Sequence, residues 1–226
     1  VALMRRVVER GGSVARLHTG DPSIFGAIFE QMRALDEAGV PYDVVPGVSS
    51  AMAAAAALAI ELTIPEITQT VVFSRVSGRT PVPPLEELSA LAALRCSLVL
   101  FLSVGMLAHI TEELSKAGYA ADTPIAVVYR ASWPDQLIVR GTLADIAQRV
   151  EQAEIANQAI VIVSPALGPA VQATTTRSHL YSTALELPSR RDRVALVTLT
   201  RPGTEIGLRL LGGMDDACLY APRRFL

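Results

Sequence analysis

Residues 18–27, HTGDPSIFGA, combine residue types and spacing with the clearest chemical consequence. An apolar segment at 13–17 runs into Thr19, Gly20, Asp21 and Pro22, and a helical pattern follows. A glycine-bearing turn between strand and helix ordinarily cradles phosphate, because the helix N-terminus offers unpaired N–H groups and a positive dipole end. Here a carboxylate stands in that place. Asp21 therefore disfavours a nucleotide phosphate and favours a neutral or cationic ligand lying over the strand end. A purely structural account covers the same residues: Asp21 as N-cap, Pro22 as first helical residue, Gly20 for the tight turn.

Open α/β sheets bind ligands beyond the carboxyl ends of their strands. The predicted ends are Thr19-Gly20-Asp21, Pro46-Gly47-Val48-Ser49-Ser50, Leu102-Ser103 and Arg130-Ala131. They are small, apolar or hydroxylic, without a His/Cys/Asp triad or a metal-ligand cluster. Such a site suits a cofactor that brings its own reactivity, with the protein supplying orientation and a dry cavity. Glu61 and Glu66 flank Pro65 and orient a substrate, assist proton removal, or serve as caps and turns. His18 ends an apolar strand as a core residue, and His109 and His179 receive no role. Trp133, with Pro134 and Asp135, fixes a turn.

The elements that must position these residues alternate between strand and helix. Strands are expected at 13–17, 42–45, 69–73, 97–102, 124–129, 137–141 and 159–163. Helices are expected at 1–9, 24–38, 51–59, 85–94, 105–116 and 143–152, from the 3.6-residue apolar period and the flanking turn residues. Ser49 or Ser50 caps the Ala-rich helix, which belongs in the interior. Residues 74–84, SRVSGRTPVPP, are a loop. Repeated βα alternation predicts an α/β fold with helices on both faces of a largely parallel sheet.

Bulk properties narrow the function classes. The chain has 226 residues, 50% hydrophobic and 19% charged, with a formal net charge of −2. No Lys/Arg run offers a stripe for tracking phosphates, so nucleic acid is not an expected partner. Two cysteines, Cys96 and Cys218, imply neither a disulfide framework nor a cysteine-built metal site, and a reducing cytoplasm is the expected location. The apolar run at 51–60 is about half of the ~20 residues a bilayer helix needs. The charged start leads into helix pattern rather than an apolar leader. Without an initiating Met, and opening in what reads as the middle of a helix, the N-terminus is expected to be a cut.

Several spaced motifs carry a family resemblance. HTGDPSIFGA, VVPGVSSAMAAAAAL, ELTIPEITQTVVFSRVSGRTP, LVLFLSVG and VVYRASWPDQLIVRGTL resemble the tetrapyrrole methylases of cobalamin biosynthesis, over roughly residues 1–165. SHLYSTAL at 178–185 resembles the tail of the same family. The resemblance implies methyl transfer from S-adenosylmethionine to C-11 of a precorrin-4-type acceptor, with or without cobalt. Other tetrapyrrole methylases of the pathway share the motifs. A second reading, from a different class, is a non-catalytic piece that binds cofactor or tetrapyrrole weakly.

What the resemblance implies for the fold is two α/β lobes, about 1–95 and 96–165, with cofactor in the cleft between them. Its cofactor positions fall on Thr19, Gly20, Asp21, Ile24, Ser49 and Ser50, then on Leu102, Ala131 and Ala159. The acceptor is a polycarboxylate, so Arg75, Arg79 and Arg130 are the expected substrate-binding residues, guanidinium groups being able to grip carboxylates bidentately. A homodimer is also implied. The family's opening strand and glycine-rich loop have no counterpart here, which makes the first lobe incomplete. Residues 166–192 read as a linker. Residues 193–226, a partial βαβ unit, resemble the start of the cobalt-precorrin-5A hydrolases.

Overall fold

The computed structural model describes residues 1–78, 80–169 and 171. These belong to a compact unit, Val1–Thr176. Arg79, and the expected linker and βαβ unit beyond residue 171, lie outside the described residues.

Five strands form one sheet: β1 (Val71–Arg75), β2 (Ser97–Phe101), β3 (Pro124–Tyr129), β4 (Leu137–Thr142) and β5 (Ala159–Val163). The helices are α1 (Ala2–Val8), α2 (Phe29–Asp36), α3 (Ser50–Leu58), α4 (Leu88–Ala92), α5 (Leu107–Lys116) and α6 (Ile146–Gln152). β2 and β5 are continuous apolar runs, buried along their whole length, because both faces of the sheet are covered. On one face Leu98, Leu100, Val127, Val161 and Val163 pack against Ala92, Ile110, Leu114 and Ile146 of α4, α5 and α6. On the other, Val99, Phe101, Ala126, Val128 and Ile162 pack against Ala51, Ala54 and Leu58 of α3. The alanines of α3 lie in the interior as expected, and Ser49 caps the helix by accepting the Ala51 N–H at 3.3 Å.

The expectation of a largely parallel sheet is corrected. The spatial order is β1-β2-β5-β3-β4, and only β1 and β2 pair in parallel. β5 runs antiparallel to both neighbours, and β3–β4 is an antiparallel hairpin. Each helical crossover does join strands of the same direction: β1 to β2, β2 to β3 and β4 to β5. Two of these connections skip one position, and the skipped position is filled by a strand of opposite direction. Alternation along the chain reports the direction of strands joined by a helix, not which strand lies between them.

A second correction concerns the N-terminal third. The strands expected at 13–17 and 42–45 do not form. Leu17 is 80% exposed and Val45 is 70% exposed, and neither segment enters a ladder among the described residues. An apolar run becomes a strand only when its N–H and C=O groups find partners. Both segments instead line a cavity of about 770 Å³, with Met4 and Val8 of α1 and Met32 and Leu35 of α2. β1, from before residue 95, lies in the same sheet as the four later strands.

Candidate functional site

The register of the sheet defines one edge. Arg75 is opposite Phe101, and Tyr129 is opposite both Leu137 and Ala159. The carboxyl ends of β1, β2 and β3 therefore lie beside the first residues of β4 and β5. Leu102, Arg130–Ala131 and Ala159 all fall on this edge. Leu102 is 74% exposed and takes a left-handed backbone, φ 54°. Arg130, at φ 44°, does the same directly after β3, and Gln158, at φ 53°, directly before β5. Left-handed non-glycine residues cost on the order of 1–2 kcal/mol each, so the surrounding contacts hold them there.

The turn 19–27 meets this edge through side chains. The Phe25 ring lies 5.0 Å from the Phe101 ring, centroid to centroid. Ile24 and Ala131 both pack against the apolar cluster that contains Phe101, Val128 and Ile160. Asp21 joins the turn to the second motif. Its Oδ2 accepts the Gly47 N–H at 2.9 Å, while Oδ1 accepts the Ser23 N–H at 2.8 Å and the Ser23 hydroxyl. The Ser23 hydroxyl, then the N–H groups of Gly47 and Ser23, hold the carboxyl below its ordinary value near 3.8. Asp21 is consequently ionised at neutral pH.

The backbones here are in contact. A Cβ on Gly20 would stand 3.4 Å from Ser50 N, and Gly20 has φ +78°. A Cβ on Gly47 would run into the Gly20 carbonyl. Gly20 and Asp21, which follow Thr19, thus lie against residues 47–50, which include Ser49 and Ser50.

Asp21 is not the cap of a helix starting at Ile24. The helix begins at Phe29, with Ile28 at the cap position. Left-handed φ values at Phe25 (52°) and Ala27 (49°) interrupt the helical run, and Gly26 packs directly on the Pro22 carbonyl. The Asp21 carboxylate instead closes a short turn on Ser23 and clamps Gly47. Phe25, Gly47 and Gln158 also take part in these contacts, though none is among the nine expected cofactor positions. Gly47 carried a signal, as the glycine after a predicted strand; Phe25 and Gln158 carried none.

Arg75 and Arg130 have internal partners. Arg75 donates to the carbonyls of Thr80 at 2.7 Å and Pro81 at 2.9 Å, which folds the loop back on the end of β1. Ser103 steadies the same loop by accepting the Val76 N–H at 2.9 Å. Arg130 pairs with Asp135, donates to the Gln158 side chain, and lies over the rings of Tyr129 and Trp133. Trp133 sits within the turn, its backbone N–H donating to the Arg130 carbonyl at 3.0 Å. His18 is half-buried beside the cavity, and His109 is exposed on α5. Of the nine expected cofactor positions only Gly20 lines that cavity, so the cavity and the sheet edge are separate features. Among the described residues no group of three or more His, Cys, Asp or Glu is placed to hold a metal. None of their helices is long and apolar enough to cross a membrane.

A two-turn clasp at the end of an α/β sheet, with an ionised acid and a strained apolar rim, is the setting for comparison with known proteins. The profile of the Tetrapyrrole (Corrin/Porphyrin) Methylases matches residues 1–147, and the chain belongs to that family. The Cobalt-precorrin-4 C(11)-methyltransferase of Methanocaldococcus jannaschii is 46% identical over 191 residues, 84% of this chain and 73% of that protein. The X-ray structure of a cobalt precorrin-4 methyltransferase superposes with a TM-score of 0.73 at 46% identity, covering 74% of this chain and 70% of the other. The uroporphyrin-III C-methyl transferase of Thermus thermophilus, complexed with S-adenyl homocysteine, has a TM-score of 0.60 at 28% identity, covering 76% and 73%.

Proposed function

We propose that this chain transfers a methyl group from S-adenosylmethionine to C-11 of precorrin-4 or cobalt-precorrin-4 in cobalamin biosynthesis. The 46% identity to a cobalt-precorrin-4 methyltransferase across most of the chain carries the reading. The geometry supports the cofactor half of it. Thr19, Gly20, Asp21, Ile24, Ser49 and Ser50 form one wall of the proposed cofactor site, and Leu102, Ala131 and Ala159 form the other. These residues fit a sulfonium compound: the glycines let two backbones close on each other, and the charge on Asp21 is negative. A phosphate would meet that same charge unfavourably.

S-adenosylmethionine supplies a methyl group already activated by its sulfonium, so no protein nucleophile is needed. The protein's share is orientation and exclusion of water. The apolar wall of Leu102, Ala131 and Ala159 serves the second purpose. The loop braced by Arg75, which in sequence includes Arg79, is assigned to the carboxylates of the acceptor. The Arg130 guanidinium is engaged within the fold by Asp135 and Gln158 rather than turned to the acceptor role the resemblance implies. A homodimer is part of the proposal, with light scattering as its test.

Methyl transfer from labelled cofactor to precorrin-4 and to cobalt-precorrin-4, followed by mass spectrometry, tests the reaction. One added methyl group supports it. Binding of S-adenosylhomocysteine without transfer to either acceptor would remove the acceptor assignment. No binding at millimolar concentration would remove the enzyme reading and leave the non-catalytic one. Transfer to uroporphyrinogen III instead would favour another tetrapyrrole methylase, a reading supported by the 28% identity to the Thermus thermophilus enzyme.

A further inference from the structure

Arg130 connects two parts of the sheet edge, the turn after β3 and the residue ahead of β5. Its backbone N–H donates to the Gln158 carbonyl at 3.0 Å, and its Nε donates to the Gln158 side-chain oxygen. Its Nη1 pairs with Asp135, five residues further along the turn between β3 and β4. The guanidinium carbon lies 5.1 Å from the Tyr129 ring centroid and 5.3 Å from that of Trp133. One planar group therefore ties the turn after β3 to the residue ahead of β5. Ala131 and Ala159 are the immediate chain neighbours of the two tied residues.

The backbone at these points is held away from its preferred regions. Arg130, Ser132 and Gln158 have φ of 44°, 72° and 53°. Left-handed non-glycine backbone at both Arg130 and Gln158, the two residues the guanidinium ties, indicates a conformation imposed by its contacts. The gain in global stability from the ion pair itself is small, because Arg130 and Asp135 are 31% and 51% exposed. The exposed ion pair does not by itself offset that conformational cost, and the placement of the two tied segments accounts for it.

We infer that Arg130 is a positioning residue for the cofactor, setting the spacing between Ala131 and Ala159 through Gln158 and Asp135. The inference rests on the proposed cofactor site. Lysine cannot replace the planar fork, since an ammonium neither bonds in two fixed directions nor stacks on both rings.

The test is calorimetric titration of the whole chain with S-adenosylhomocysteine, for wild type, Arg130→Lys, Gln158→Ala and the double variant, with denaturant unfolding of each. Each single variant is expected to weaken binding about tenfold, and the double variant no more than the weaker single one, because both break the same link. Unfolding midpoints are expected to stay near wild type. With active protein, KM for S-adenosylmethionine rises while kcat and KM for the tetrapyrrole hold. Variants that bind like wild type overturn the inference. So does a loss of affinity that tracks loss of stability, or additive losses in the double variant. A wild-type chain that gives no heat removes the methylase reading, and this inference with it; the variants alone decide the inference when wild type binds.

Discussion

The Asp21 carboxylate accepts the backbone N–H of Gly47 at 2.9 Å, across 26 positions of sequence. This bond closes the turn after residue 18 onto the turn before α3, and it places two glycine-bearing backbones in van der Waals contact. The clasp does not depend on a helix terminus. Its carboxylate works on the chain itself, on Ser23 and Gly47, and leaves a fixed negative charge at the site.

The contact between the two turns makes their glycines unequal. Gly47→Ala drives a Cβ into the Gly20 carbonyl, so a loss of about 1–3 kcal/mol is expected. Gly20→Ala has room, its new Cβ standing 3.4 Å from Ser50 N, but must hold φ +78°, at about 1–2 kcal/mol. Urea midpoints of the two variants check this. A neutral Gly47→Ala variant would mean the turns do not touch.

Protonation of Asp21 weakens the clasp. Its folded value lies below the ordinary 3.8, so its contribution to stability is present above that pH and is lost as pH falls through the folded value. Asp21→Asn keeps an acceptor oxygen and removes the charge. The stability difference between wild type and this variant is expected at pH 7 and to shrink below pH 3.8. Asp145, also lowered, mainly by the Thr142 N–H and then by Arg149, is expected to show the same trend in Asp145→Asn. A difference unchanged from pH 7 to pH 3 would be contrary to both.

Helix α3 ends on Ala59 in the left-handed region, φ 54°, with Arg140 donating to the Leu58 carbonyl at 2.8 Å. Glycine is the ordinary residue at such a stop. Ala59→Gly is expected to stabilise the fold by about 0.5–1 kcal/mol, the relief of strain exceeding the entropy glycine adds to the unfolded chain. Thermal unfolding reads the sign directly, and a lower Tm would contradict the assignment.

Ser97, fully buried at the start of β2, donates to the Leu62 carbonyl at 3.1 Å and shares hydroxyl contacts with Ser164 at 2.7 Å and Thr68 at 3.3 Å. Ser97→Ala strands buried polar groups and is expected to cost about 1–3 kcal/mol in denaturant unfolding. A change within experimental scatter would show that the other two hydroxyls rearrange to satisfy each other.

Much of the sheet was legible because its residues obey one local rule. Strands 124–129 and 159–163 coincide with the apolar runs read from sequence, and the helices that follow or precede them lie within a few residues of their predicted spans. The first forty-five residues obeyed it less well. The segments at 13–17 and 42–45 have strand-like composition, yet a ladder needs a second chain segment at the right place, and composition does not supply one. Motif order named Gly20, Asp21 and Ser49 as expected cofactor positions, whose segments the fold brings together. It did not reveal that Phe25 would turn left-handed and meet Phe101, because that contact depends on where β2 emerges from the sheet.

By itself, then, the sequence determined which segments become strands and helices in residues 50–163, and that an acid rather than a phosphate cradle sits after residue 20. The period of apolar residues and the chemistry of a single side chain are local quantities, readable without coordinates. Only the tertiary structure decided that β5 enters between β2 and β3, that Asp21 clasps Gly47, and that Arg130 joins the hairpin turn to Gln158. Those are pairings between distant segments, and their free energy depends on spatial proximity that no local window of residues contains.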